Sequence, residues 1–356
     1  MNTPLARSVC RLARLAVLLA AILSAAGLSA AGPAIAAKAA PEADPLSLVP
    51  ADVAGVGGID LRQLSEAGAI SAAVDFLDAI SSPEAQVSRM MREVNLDPSR
   101  DLRKAAIIVG KTEQNGDLGP VPKAVIVAGQ FDTEAIFKFA REQSGGRLRE
   151  TTVGGVKMLQ SDTSLTGVIN GTILVTGTNE LVEQIIEVHA GSAKPLPRNS
   201  PLLKLAKEHR NRSFWLVSDV HALPESKRRL AIMASTGLDA SKLDHLIAWA
   251  DVSRDGTDFR TEIKCADPET AQQMKTWLQL MTNMAVGMGQ IITSERPRDR
   301  DTIDRVARRV KTGASESTAY IEAEVSSRLL ARLRSAVLGL GADTERVNTT
   351  RPRILR

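Results

Sequence analysis

The chain writes one phrase twice. Residues 95–110 read NLDPSRDLRKAAIIVG, and residues 237–252 read GLDASKLDHLIAWADV. Leu96 and Asp97 match Leu238 and Asp239; Ser99 matches Ser241, and Arg100 matches Lys242. In each copy an aspartate able to cap a short turn leads into an apolar run, the pattern of a turn followed by a buried strand. The flanks match as well. VAGVGGIDLRQL, from Val53, and SFWLVSDVHAL, from Ser213, each end a strand in an aspartate (Asp60, Asp219) with a leucine four residues on (Leu64, Leu223). KAVIVAGQFDTEAIFKFA and DFRTEIKCADPETAQQMK each run from strand to helix, with Asp132 or Asp267 at the N-cap and Glu134 or Glu269 in the first turn. There the carboxylates meet free N–H groups and the positive helix end. TILVTGTNELVEQII and TAYIEAEVSSRLLARL repeat the strand-to-helix step. Four elements in the same order read as an internal duplication.

This grammar predicts an α+β fold of two tandem similar lobes, each a largely antiparallel sheet with helices packed on one face. Asn115-Gly116 joins AAIIVG to KAVIVAGQ, and Asn170-Gly171 joins LTGVI to TILVTG; both are hairpin turns. The expected organisation is a signal peptide over 1–36, a flexible linker over 37–46, a first unit over 47–190, a Pro-rich linker over 191–200 (GSAKPLPRNS), a second unit over 201–340 and a loose basic tail over 341–356.

The start of the chain bears on its destination. Arg7, Arg11 and Arg14 precede the uncharged run LAVLLAAILSAAGLSAAG, and Ala34 and Ala36 stand in small-x-small spacing. A positive start, an apolar middle and a small-residue exit form a secretory signal, which predicts a periplasmic or secreted protein. The alternative is a membrane anchor formed by an uncleaved leader. The leader accounts for much of the basic balance: of 45 basic and 41 acidic residues it holds three and none, leaving 42 against 41. With near-neutral charge and a single tyrosine, Tyr320, nucleic acid is not an expected partner. One cysteine, Cys265, remains beyond the leader, so no intramolecular disulfide staples the fold and burial has to stabilise it.

The second half carries one long helical pattern, ETAQQMKTWLQLMTNMAVGMGQII. Met274, Trp277, Met281, Met284, Met288 and Ile291 recur at 3, 4, 3, 4 and 3, a heptad seam expected on one face. Such a face usually covers its own sheet; the sharper reading is a surface for another envelope protein or for self-association. A Cu(I) thioether cluster is disfavoured because no histidine joins the methionines. Gly287 and Gly289 weaken the helix near its end.

Local catalytic motifs are sparse. AGVGGID has Asp60 where a dinucleotide loop needs its third glycine. There is no G-x-S-x-G elbow, no Walker loop and no H-E-x-x-H. Asp219 and His221, two apart at a strand end, are the candidate polar site for a metal or a general base. Cys265 closes a strand before a helix cap and reads as a packed thiol. The interleaved charges of ERPRDRDTID read as a solvated loop, and the basic tail RVNTTRPRILR as a loose end with at most transient contact to lipid headgroups.

PADVAGVGGIDL, just after a leader, and FWLVSDV at the second unit's start resemble the openings of uncharacterised exported bacterial proteins built from duplicated α/β units. The resemblance implies export and repeated units. It implies no activity, no cofactor and no catalytic residue. The sequence therefore predicts an exported, non-enzymatic binding or envelope-assembly protein without cofactor or metal. The alternatives are a carrier of a small molecule or lipid with its pocket between the lobes, and a hydrolase built on Asp219 and His221.

Overall fold

The computed structural model describes residues 44–71, 87–111, 121–222, 239–292 and 297–330. The leader, the Asn115-Gly116 turn, Leu223 and the basic tail lie outside them. Twelve strands form one sheet in which every neighbouring pair is antiparallel. In chain order the strands are β1 Val53–Asp60, β2 Leu102–Gly110, β3 Lys123–Gly129, β4 Arg149–Val153, β5 Val156–Gln160, β6 Ser164–Ile169, β7 Ile173–Thr178, β8 Phe214–Asp219, β9 Leu243–Val252, β10 Gly256–Cys265, β11 Lys311–Ser315 and β12 Thr318–Ser326. The helices are α1 Leu61–Glu66, α2 Val87–Glu93, α3 Pro98–Asp101, α4 Thr133–Ser144, α5 Asn179–Ala190, α6 Pro201–His209, α7 Pro268–Ile292 and α8 Pro297–Ala307. The protein is thus α+β with a large antiparallel sheet.

The two halves share this sheet instead of each closing its own. Outward from the β1–β8 pair, the order is β1-β2-β3-β7-β6 on one side and β8-β9-β10-β12-β11 on the other, with β5 and β4 extending the first side. β1 and β8 pair from Gly55↔Ser218 to Ile59↔Phe214. Seven of the eight residues of β1 are buried, which is why VAGVGGID reads as a continuous apolar run. Its glycines allow a close approach: a Cβ on Gly57 would lie 2.8 Å from the Trp215 carbonyl oxygen, and one on Gly58 would fall inside the Trp215 indole. The glycines that imitate a phosphate loop are therefore packing positions in a seam.

Polar groups cross the same seam. The Asp60 N–H donates to the Ser213 carbonyl at 2.9 Å, Ser218 Oγ to the Ala54 carbonyl at 3.1 Å, and Ser213 Oγ to Gln63 Oε1 at 3.1 Å. The Pro-rich linker is also tied down. Its Leu196 is buried and donates its N–H to the Val49 carbonyl at 2.8 Å, while Pro195 bridges Pro50.

Strand alternation sends side chains to two faces, and near the centre helices cover both. On one face Val56, Ile108, Ile126, Val175, Trp215 and Val217 pack with Leu181, Ile185 and Ile186 of α5 and Leu202, Leu203 and Ala206 of α6. On the opposite face Ile59, Val125, Val127 and Leu174 pack with Leu61 of α1 and Ile136 and Phe137 of α4. In the second half that opposite face continues, with Leu243, Cys265 and Ala319 beneath Ala271, Met274 and Leu278 of α7. Helices on a single face would leave the central strands' other face wet. Fully burying one Val, Ile or Leu side chain contributes roughly 1.5–3 kcal/mol, so two-sided burial is what these strands encode.

The caps at Asp132 and Asp267 form as predicted, and Asp60, read only as a strand end, caps α1 as well. Asp60, Asp132 and Asp267 accept from the N–H groups of Gln63, Ala135 and Thr270 at 2.9, 3.0 and 2.7 Å. Asp97 and Asp239, the matched turn residues, each accept from a serine N–H at 2.9 Å, from Ser99 and Ser241 respectively. The β6–β7 hairpin turns at Asn170 and Gly171, both with positive φ, the geometry Asn-Gly favours.

Candidate interaction surfaces

The heptad seam splits along α7. Met274 is fully buried and Trp277 and Met281 are half-buried, but Met284 is 46% exposed; Met288's side chain lies outside the described residues. The buried line is Ala271, Met274 and Leu278. An α-helix advances about 100° per residue, which sets Met284 about 80° from Met274 on the helical wheel, toward solvent. Leu280, outside the seam, is 48% exposed beside it, and these two are the exposed large hydrophobic residues among those described. The seam residues thus do not act as one face: one edge is core and the other is surface.

The end of α7 is held by α8. Gln290 Nε2 donates to Asp304 Oδ1 at 2.7 Å, and a Cβ on Gly289 would meet Ile303 at 3.2 Å. Gly289 therefore admits a neighbouring helix, and α7 runs through both glycines to Ile292.

Asp219 and His221 do come together. Asp219 Oδ1 accepts from the His221 N–H at 2.8 Å, a local turn contact at the end of β8. The imidazole Nε2 faces Asp244 Oδ1 at 3.5 Å, with both side chains nearly half exposed. Asp219 lies opposite His245 in the β8–β9 ladder. No group of three or more His, Cys, Asp or Glu side chains able to hold a metal occurs among the described residues. Cys265 is buried, and burial pushes its thiol up to about 11. The junction where a carrier would hold its pocket is occupied by the β1–β8 ladder and by core on both sides.

One surface was not anticipated. On the face that α5 and α6 cover near the centre, β9, β10 and β12 of the second half present Trp249 and Asp251; Asp258, Arg260, Glu262 and Lys264; and Tyr320, Glu322 and Glu324. Matching the ladders outward from Asp60↔Lys104 and Asp219↔His245, Arg260, Glu262 and Lys264 occupy the positions of Ala124, Ile126 and Ala128. All three are buried, Ala124 and Ile126 in the cluster that α5 covers, whereas the helical stretch after β12, residues 327–330, buries Leu329 and Leu330 on the opposite face.

The exposed face is organised around arginine. Arg212 stacks on Trp249 at 4.1 Å and pairs with Asp251. Arg260 stacks on Tyr320 at 4.0 Å and pairs with Glu262 at 2.9 Å and Glu322 at 3.0 Å. Tyr320 lies across Gly313, where a Cβ would strike its ring. At the edge nearest α6, His209 Nδ1 is buried without a hydrogen-bond partner among the described residues, and desolvation lowers its pKa from 6.5 against the opposing pull of Glu262 and Glu208. The sequence carried a signal for this face: TDFRTEIKC alternates charged and apolar residues with period two, whereas KAVIVAG at the matched position does not.

No family model matches the chain, and no curated protein does. Among solved structures, crystal form I of TP0453 is similar at 10% identity with a TM-score of 0.46, covering 84% of this chain and 98% of that one. Crystal form III of TP0453 gives 10% identity, a TM-score of 0.47, and coverage of 83% and 98%. Both are distant likenesses in overall shape.

Proposed function

We propose that this is an exported protein of the cell envelope that works by protein contact and not by catalysis, with α7 as its contact helix. The observation that carries the reading is the exposed pair Leu280 and Met284 on a helix whose other side is core. Apolar side chains grouped on one exposed stripe favour a partner's surface over water. The leader, with Arg7, Arg11 and Arg14 ahead of its apolar run, supports export. The partner we favour is a second copy, because one exposed stripe can cover the same stripe of a twin across a twofold axis, the commonest symmetry of paired chains.

Sedimentation of the chain lacking residues 1–36, over a concentration series, tests the contact. The expected result is concentration-dependent association that Leu280→Glu with Met284→Glu removes while the thermal midpoint holds. A monomer at all concentrations overturns self-association. Fractionation with N-terminal sequencing tests export: the mature chain is expected outside the cytosol, beginning after Ala36, and a full-length cytosolic chain overturns it.

A further inference from the structure

The charged face of the second half raises a question of its own, independent of α7. Opposing side chains in an antiparallel ladder are favourable when their charges differ and unfavourable when they match. One row of this face obeys the rule: Arg260 lies between Trp249 and Glu322. The next row breaks it. Asp258 lies directly between Asp251 on β9 and Glu324 on β12, three carboxylates across three strands. Arg212 pairs with Asp251. Asp258 and Glu324 are both exposed, and neither carboxylate takes part in an ion pair among the described residues. Desolvation and the neighbouring Glu324 and Asp251 hold the Asp258 carboxyl above its usual value. The face therefore shows two guanidinium groups already seated on a ring and a carboxylate, and beside them two carboxylates that no described side chain pairs with, Arg309 reaching only the Glu324 main-chain carbonyl, at 3.3 Å.

The position of that row is informative. It lies where β12 ends, and Ser326 pairs with Gly256 two residues from Asp258. The described chain stops at Leu330, leaving residues 331–356. The last eleven, RVNTTRPRILR, hold Arg346, Arg351, Arg353 and Arg356 and no acid. The fifteen intervening residues, 331–345, can span at most roughly 50 Å at about 3.3 Å each. Three strands span only about 15 Å at their usual spacing. Leu329 and Leu330 pack on the opposite face, so the chain first rounds the end of β12, about 10 Å at the usual thickness of a sheet layer; the reach still exceeds that path, and tethering raises the effective concentration of the four arginines at the row.

We propose that the exposed face of β9, β10 and β12 is the docking site of the chain's own C-terminal segment, residues 346–356, whose arginines seat on Asp258 and Glu324. The segment takes the place over the second half that α5 holds over the first, with ionic and stacking contacts in place of apolar ones.

The test uses a fluorescent peptide of residues 346–356 and measures anisotropy at low salt against two proteins, the mature chain and the same chain ended at Glu345. The shortened chain is expected to bind the peptide, with affinity falling as salt rises. Asp258→Lys with Glu324→Lys is expected to weaken that binding at least about tenfold, the scale of losing close charge pairs. Asp258→Asn with Glu324→Gln is the milder partner variant should the reversal disturb the fold. The chain that keeps its tail is expected to bind the free peptide at least about tenfold more weakly, because the tethered copy competes. Three results overturn the proposal: no binding by the shortened chain; equal binding by the carboxylate variants; or equal binding by the chain with its tail, which would mean the face is open to another molecule.

Discussion

Gly58 tests whether the two halves are joined by core packing. It pairs with Trp215 in the β1–β8 ladder, and a Cβ there would overlap the indole. Trp215 is 3% exposed, within a cluster that includes Val56, Val217 and Ile247, so the ring has little room to move aside. Gly58→Ala adds one methyl to a filled space. Overpacking of this kind costs about 1–3 kcal/mol, and a rigid bicyclic neighbour puts this site near the upper end. At roughly 1.5 °C per kcal/mol for a chain of this size, the melting midpoint should fall by about 3–5 °C. The companion variant Trp215→Ala removes the obstacle and costs about 3–5 kcal/mol by itself. With the ring gone, adding Gly58→Ala should cost less than about 0.5 kcal/mol more, so the two changes are strongly non-additive. Urea and thermal unfolding of the four proteins, followed by circular dichroism, give the cycle. If Gly58→Ala melts with the parent, or its penalty persists without Trp215, the packing described for the seam is wrong.

Three further outcomes follow from named groups. Met274→Ala should destabilise by about 2–5 kcal/mol, as expected for a fully buried side chain, while Met284→Ala should stay within about 0.5 kcal/mol; denaturant midpoints decide. His209 has a folded pKa lowered from 6.5 by desolvation, so the unfolded chain takes up a proton first as pH falls. Its contribution is complete above 6.5 and is lost as pH falls from there toward the lower folded value; thermal midpoints should decline over that window in the parent and decline less in His209→Gln. The Cys265 thiol, buried and pushed up to about 11, should react with iodoacetamide at neutral pH only after unfolding, read by mass spectrometry.

Much of the strand and helix order was legible because its signals are local. Asp97, Asp132, Asp239 and Asp267 act as turn and helix caps where the repeated phrases place them, and Asn170-Gly171 turns its hairpin. What was not legible depends on partners distant in sequence. Nothing near Gly58 announces Trp215, 157 positions on, so the fusion of two half-sheets through β1 and β8 could not be read from either strand alone. The fate of the methionine seam was hidden because a stripe about 80° wide has two edges, and it is the sheet and α8 that choose which edge is buried. The charged face was half legible: the period of TDFRTEIKC calls for a wet side, but Arg212 on Trp249 and Arg260 on Tyr320 join residues 37 and 60 positions apart.

Both halves form one sheet across the β1–β8 seam, and that sheet should open as a single cooperative unit. Native-state hydrogen exchange of the chain lacking residues 1–36, under rising denaturant, reads the seam amide by amide. The amides of Gly57, Gly58, Leu216 and Val217 should exchange only through global unfolding, converging on the same free energy as the most protected amides of β3 and β10. Seam amides that exchange through a separate, cheaper opening while β3 stays protected would contradict it.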